Sequence, residues 1–208
     1  FVQARGSIPL FWRQNINIRY KPPFEFYNSS SMAPVFSSHF DDLVRRYGPV
    51  AAVNLINQRG WEGELARMFA KQARDYEGKG LHYVPFDFNR QCPRMQWHRV
   101  RLLLDELRPD LEAQGYFCGQ LLRPQDPARV ALAQVLAEQS GVVRTNCIDC
   151  LDRTNLVQGF IGRDLLTWQL QKLRVLTERE TVNDCAPLEA IFKQVWADNG
   201  DAISRQYS

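Results

Sequence analysis

Cys147 and Arg153 are separated by five residues inside the run Arg144-Thr145-Asn146-Cys147-Ile148-Asp149-Cys150-Leu151-Asp152-Arg153-Thr154-Asn155. That spacing lets a short loop close around one phosphate, with a thiolate at its base and a guanidinium folded over the phosphate oxygens. The chemistry is displacement at phosphorus. The thiolate attacks, a phospho-cysteine forms, and water hydrolyses it. A free thiol has a pKa of about 8.5 and is mostly protonated at neutral pH. The expectation is therefore that a helix N-terminus and the nearby Arg153 pull the Cys147 pKa down. Arg153 would grip two oxygens, most tightly as charge moves onto them in the transition state. Thr154 can hydrogen-bond the sulfur or help expel it. Asp149 and Asp152 are carboxylates in the loop. One can protonate the leaving alkoxide, yet a carboxylate also repels an incoming phosphate, so both roles stay open. The other four cysteines have no Arg at this spacing; six residues beyond them stand His98, Pro124, Leu156 and Ile191.

Such a loop needs a strand before it and a helix after it. Gly141-Val142-Val143 reads as a short buried strand, and an amphipathic helix begins at Asn155 and runs to about Arg174. Loop amides and the helix dipole then favour an anion. Upstream, residues 1–4 and 8–13 read as strands around Arg5-Gly6-Ser7, and 21–34 as a Pro- and Ser-containing connection. Helices are expected at 36–47, 63–76 and 93–114, the last bent or broken at Pro109. Strands are expected at 50–56, 81–88 and 116–121. Residues 129–138 fit helix by composition. A last helix runs from Pro187 to about Gln206. Strands alternating with helices predict an α/β fold in three layers, a largely parallel central sheet flanked by helices. Its ligand site lies at the carboxyl ends of the strands.

The chain has 208 residues, 45% of them hydrophobic, enough for one sizeable core. The net charge of +3 is too mild for a nucleic-acid-binding surface. No apolar run approaches the length of a transmembrane helix. Five scattered cysteines do not make a secreted disulfide framework and fit a reducing compartment. Cys147-Ile148-Asp149-Cys150 has the spacing of half a zinc site, but Cys185, His39, His82 and His98 supply no second pair. Cys150 is either a small packed residue or a partner that traps oxidised Cys147 as a disulfide.

The block at 144–155 resembles the signature of the Sac-domain phosphoinositide phosphatases. Three further segments share the resemblance in the same order: Arg5-Gly6-Ser7-Ile8-Pro9 with Trp12; Phe86-Asp87-Phe88, Cys92 and Trp97-His98-Arg99-Val100; and Trp196-Ala197-Asp198-Asn199-Gly200-Asp201 with Gln206-Tyr207. The details are most similar to the membrane-anchored enzymes of the endoplasmic reticulum and Golgi; Asn199-Gly200-Asp201 is also close to synaptojanin-type domains. Asn89 departs from the family's His after Asp-Phe, and residues 123–138 look longer than the usual connection. The resemblance implies extended structure near 129–138. It also implies that residues 1–208 are the catalytic portion of a Sac domain whose members carry further N- and C-terminal parts. The implied activity is removal of a monoester phosphate from an inositol headgroup, phosphatidylinositol 4-phosphate first and the 3-phosphate second. It would run at the cytosolic face of a membrane with no metal or cofactor. A protein phosphatase of the same chemistry, or a headgroup-binding module without turnover, are the rival readings.

On that basis Cys147, Arg153, Asp149 and Thr154 form the expected catalytic set. Asn146, Ile148, Cys150, Leu151 and Asp152 form the rest of the loop around the phosphate. Arg5 either approaches the inositol phosphates or pairs with a carboxylate to hold a hairpin. Lys21 is a headgroup contact or a solvated surface residue. Asp87 ends a strand at the site's edge or caps a helix. Asn199 and Asp201 follow a core-packed Trp196, and Asp201 either acts as an acid or orients Arg153. His98 reads as structural, and Trp12 and Trp97 as packing residues.

Overall fold

Two strands that are buried along their whole length lie side by side at the centre of the molecule: β4 (Val50–Asn54) and β8 (Val142–Asn146). The computed structural model describes residues 1–15, 22–27, 31–76, 78–122 and 132–207. β1 (Gln3–Arg5) joins the outer side of β8, and β5 (Leu81–Pro85) the outer side of β4. All three pairings are parallel, giving the order β1-β8-β4-β5. Parallel neighbours need crossover helices, and helices on both faces bury such a sheet.

Alternation along β4 divides the core in two. Ala51, Val53 and Leu55 face one apolar cluster with Val143, Leu103, Leu107, Val157 and Ile161. Val50, Ala52 and Ile56 face the other with Phe36, Phe40, Phe69 and Tyr76. The first cluster is supplied by α4 (Arg101–Gln114) and α5 (Asp152–Lys172), the second by α1 (Met32–Tyr47) and α2 (Gly63–Asp75). The three-layer α/β expectation holds. The short α3 (Phe88–Gln91) follows β5, and α6 (Ala186–Ser204) packs on α5, where Trp196 lies over Gly159 and Gly162.

Several boundaries differ from the sequence reading. The expected pair of strands around Arg5-Gly6-Ser7 is not a hairpin. β1 joins the central sheet, while β2 (Trp12–Gln14) pairs antiparallel with β3 (Phe24–Phe26), a strand inside the expected connection. The helix expected from residue 93 begins only at Arg101. Arg94 and Met95 take φ of 52° and 62°, and two consecutive left-handed residues end any helical run. Pro109 does not break α4, because it and Asp105, whose carbonyl it frees, both lie on the exposed side. Residues 132–137 are extended, as β7 (Leu132–Ala137) paired with β6 (Cys118–Leu121). Among the described residues no helix is long and apolar enough to cross a membrane.

Gly48 closes α1 with φ 83° and ψ −158°, a region that only glycine occupies readily. A Cβ there would stand 2.0 Å from the Ser140 carbonyl oxygen, on the chain that enters β8. Gly48→Ala is expected to cost about 2–3 kcal/mol, read as a lower midpoint in urea unfolding with an unchanged slope.

Candidate active site

The carboxyl ends of β8, β4 and β5 are tied together by side chains. Arg144 Nη1 donates to Asn146 Oδ1 at 3.1 Å, Asn146 Nδ2 donates to Asn54 Oδ1 at 2.7 Å, and Asn54 Nδ2 donates to the Tyr83 hydroxyl oxygen at 2.9 Å. Register puts Asn54 directly beside Asn146. Arg144 is buried against the Phe40 ring and also donates to the Ser7 carbonyl. Burial lowers its pKa to about 10 and raises that of Tyr83 to about 12. Asn146 therefore supports the loop from beneath, its side chain fully buried, and does not offer that side chain to a ligand.

Above this platform the chain leaves β8 and turns through residues 147–151 into α5. The expected strand–loop–helix is present, with α5 starting at Asp152 rather than Asn155. Cys147 is 1% exposed and packs with Phe88, Cys92 and Val100. Its Sγ donates to Asp149 Oδ1 at 3.1 Å, and the same oxygen accepts the Leu151 N–H at 3.0 Å. Burial pushes the Cys147 thiol above its ordinary pKa. Thr154 and Arg153 act to lower it, and Asp149 adds to the rise. The direction is opposite to the expected depression, because desolvation and a carboxylate outweigh one hydroxyl and one guanidinium. Thr154 Oγ1 is buried without a well-aligned partner, on the sulfur's side of α5.

Cys150 takes φ 59° and donates its Sγ to the Gly6 carbonyl at 3.1 Å, while Arg5 Nη1 donates to the Cys150 carbonyl at 3.1 Å. Cys150 is thus a packed thiol, and all five cysteines are free. Among the described residues Arg5 has no carboxylate partner, contrary to one reading. It donates from Nε to Gln158 Oε1 at 3.0 Å and from Nη2 to Asn155 Oδ1 at 3.1 Å, and it lies beside the loop. Asn155 is a hub: the same Oδ1 accepts from Asn199 Nδ2 at 2.7 Å, and its own Nδ2 donates to the Trp196 carbonyl at 2.9 Å. Arg5, Asp152, Asn155, Gly200 and Asp201 line a cavity of about 350 Å³ on this flank of the loop.

Arg153 points the other way. Its Nη2 donates to Glu62 Oε1 at 2.9 Å and its Nη1 to Glu62 Oε2 at 3.1 Å. The carboxylate paired with Arg153 is therefore Glu62 and not Asp201, which lines the cavity on the other flank of the start of α5. Glu62 sits in a turn between β4 and α2, opposite the loop. The signal for it was a lone acid in Gly60-Trp61-Glu62-Gly63, just past a buried strand. Tyr207, within the quoted Gln206-Tyr207 pair, also reaches the loop, its hydroxyl donating to the Asp149 carbonyl. Asp87 accepts the Arg90 N–H at 3.1 Å and the Gln58 N–H at 3.0 Å, so it caps α3 and ties down the loop after β4. Ile148 packs on the second apolar cluster, Leu151 is partly buried, and Asp152 is exposed. Trp12 packs, as expected; Trp97 and His98 are largely exposed, and Trp196 is only partly buried. Lys21 and residues 123–131 lie outside the described residues.

In this α/β domain a thiol and a guanidinium flank a loop between a central strand and a helix N-terminus. Comparison with known proteins supplies the family. Residues 1–93 match the family described as the SacI homology domain. Along its whole length it is 40% identical to the phosphoinositide phosphatase SAC6 of Arabidopsis thaliana and 39% identical to phosphatidylinositol-3-phosphatase SAC1-A of Danio rerio. It is 37% identical to phosphatidylinositol-3-phosphatase SAC1 of Saccharomyces cerevisiae. The chain spans 33%, 34% and 32% of those three proteins.

The sealed thiol makes a chemical prediction. Cys147 should react with iodoacetamide more slowly than a free peptide thiol between pH 7 and 9. Asp149→Asn should speed the reaction, because it removes a carboxylate that disfavours the thiolate. Peptide mass spectrometry timed over the reaction reads both rates, and faster labelling of Cys147 than of the peptide contradicts the assignment.

Proposed function

We propose that this chain provides the catalytic centre of a phosphoinositide phosphatase that removes a monoester phosphate from an inositol headgroup. The observation that supports this reading best is the loop itself. Cys147 and Arg153 flank a turn whose preceding strand is locked at the centre of the sheet and whose following helix begins at Asp152. Relatives that align along the whole chain are named for this lipid class.

In the proposed reaction the phosphate enters over the loop amides at the start of α5 and takes the place of the Asp149 carboxylate. The Cys147 proton passes to Asp149, the sulfur bonds to phosphorus, and the leaving inositol oxygen receives that same proton from Asp149. Water then cleaves the S–P bond, returning a thiol and inorganic phosphate. Arg153 holds two of the phosphate oxygens through both steps. Arg5 adds positive charge on the cavity side, where Asp152, Asn199 and Asp201 lie within reach of a headgroup. We assign phosphatidylinositol 4-phosphate as the first substrate and the 3-phosphate as the second, at a membrane surface on the cytosolic side.

One observation favours a second reading. The Cys147 sulfur is buried and its surroundings disfavour the thiolate, as they would in a module that binds headgroups without turning them over. A panel of all seven phosphoinositides, assayed for released phosphate, separates the two. The phosphatase reading expects release from the 4-phosphate and 3-phosphate lipids, reduced to background by Cys147→Ser. Headgroup binding with no release by the wild type supports the module. Asp149→Asn is expected to slow lipid turnover by about 100-fold, and far less with a nitrophenyl phosphate, whose leaving group needs no proton. Equal losses on both substrates would remove Asp149 from the acid role.

A further inference from the structure

Glu62 is 3% exposed, and a carboxylate so far from water is stable only with its charge and lone pairs matched. Arg153 supplies the charge and two bonds, and the Asn57 N–H donates to Oε2. Nothing in the proposed chemistry uses this acid, so its place against the phosphate-binding guanidinium needs a reason.

A guanidinium carries five N–H donors in a rigid fork. Glu62 takes one from Nη1 and one from Nη2, and the Leu55 carbonyl takes another from Nη1 at 3.4 Å. Two remain, on Nε and Nη2, and among the described residues neither has a recorded acceptor. They lie along one edge of the plane, the side-on pair that matches two oxygens of a phosphate. Glu62 and phosphate therefore do not compete for the same hydrogens.

We infer that Glu62 is the positioning residue for Arg153, gripping the guanidinium by its end so that its Nε–Nη2 edge is held ready for two phosphate oxygens. The inference rests on the reading that Arg153 binds the substrate phosphate. Glu62 enters from the connection after β4, Arg153 from the first turn of α5, and the pair fixes the two relative to each other. Free of Glu62, the long Arg153 side chain would sample many rotamers, and misplacement by about an ångström costs on the order of 100-fold in rate.

The test uses the full protein and two readouts, lipid phosphate release and calorimetric binding of tungstate, an unreactive tetrahedral oxyanion. Glu62→Gln is expected to lower kcat by about 100-fold and weaken tungstate about 10-fold, with KM moving less than about 3-fold. Glu62→Asp, which keeps the charge, should recover part of both. Should Glu62→Gln fail to fold, Glu62→Asp carries the test, with a smaller loss of kcat and tungstate affinity expected at an unchanged melting temperature. In an Arg153→Lys background, which lacks the fork, Glu62→Gln should change kcat less than about 2-fold. Wild-type kcat and tungstate affinity in a folded Glu62 variant overturn the inference, as does an undiminished loss in the Arg153→Lys background. Tungstate binding without phosphate release by the wild type defeats the phosphatase reading alone, and the tungstate comparison between wild type and Glu62→Gln still decides the role of Glu62.

Discussion

The site depends on a row of polar side chains buried under it. Arg144, Asn146, Asn54 and Tyr83 pass hydrogen bonds across the carboxyl ends of β8, β4 and β5. Each such group would be costly in an apolar core if left unmatched. Because each satisfies its neighbour, none can leave without orphaning another, and the strand ends are fixed in register as well as in position. The loop at 147–151 begins where this row ends. A loop that must hold a sulfur and several amides to within a fraction of an ångström needs such a floor, since its own backbone contains a strained residue at Cys150. Gly6 and Arg5 restrain that residue, the Gly6 carbonyl accepting from its thiol and Arg5 donating to its carbonyl.

The three arginines near the loop divide the work according to what surrounds each. Arg144 is sealed beneath it and donates to neutral oxygens only, so its role is to lock Ser7 and Asn146. Arg5 is half-buried on one flank and links β1 to the first turns of α5 through Asn155 and Gln158. Among the described residues Arg153 is the one of the three with a carboxylate partner, and its Nε–Nη2 edge keeps a pair of donors without an acceptor there. A guanidinium answers to geometry more than to charge. The same residue type thus serves as a strut, a strap and, in the proposed reaction, a phosphate-facing fork near one loop.

Much of this was legible beforehand. The parallel sheet followed from alternating strands and helices, and the loop from one spacing and the block around it. Misreadings came where local pattern met a non-local partner. β1 looks like half of a hairpin until its true neighbour, more than a hundred residues away, is known. The run from Pro93 looks helical because periodicity does not register two left-handed residues. Glu62 is a single acid in a turn, and only the fold brings it to Arg153. The pKa of Cys147 was misjudged because spacing reveals which charges are nearby but not how much water is lost.

That last difference carries the mechanism's main physical consequence. In the unliganded loop Asp149 accepts both the thiol proton of Cys147 and the amide of Leu151. A carboxylate thus occupies donors that a phosphate oxygen would use, and it disfavours the thiolate while it does so. Loop amides, helix dipole and Arg153 all favour an anion above α5; Asp149 satisfies part of that demand from within the chain. A substrate phosphate carries more charge and more oxygens than one carboxylate, and it alone can engage the free edge of Arg153. Displacing Asp149 therefore gains bonds while freeing a base beside the thiol. In the proposed reaction the nucleophile is activated by the arrival of the group it attacks, and a buried, oxidisable thiol stays unreactive until then.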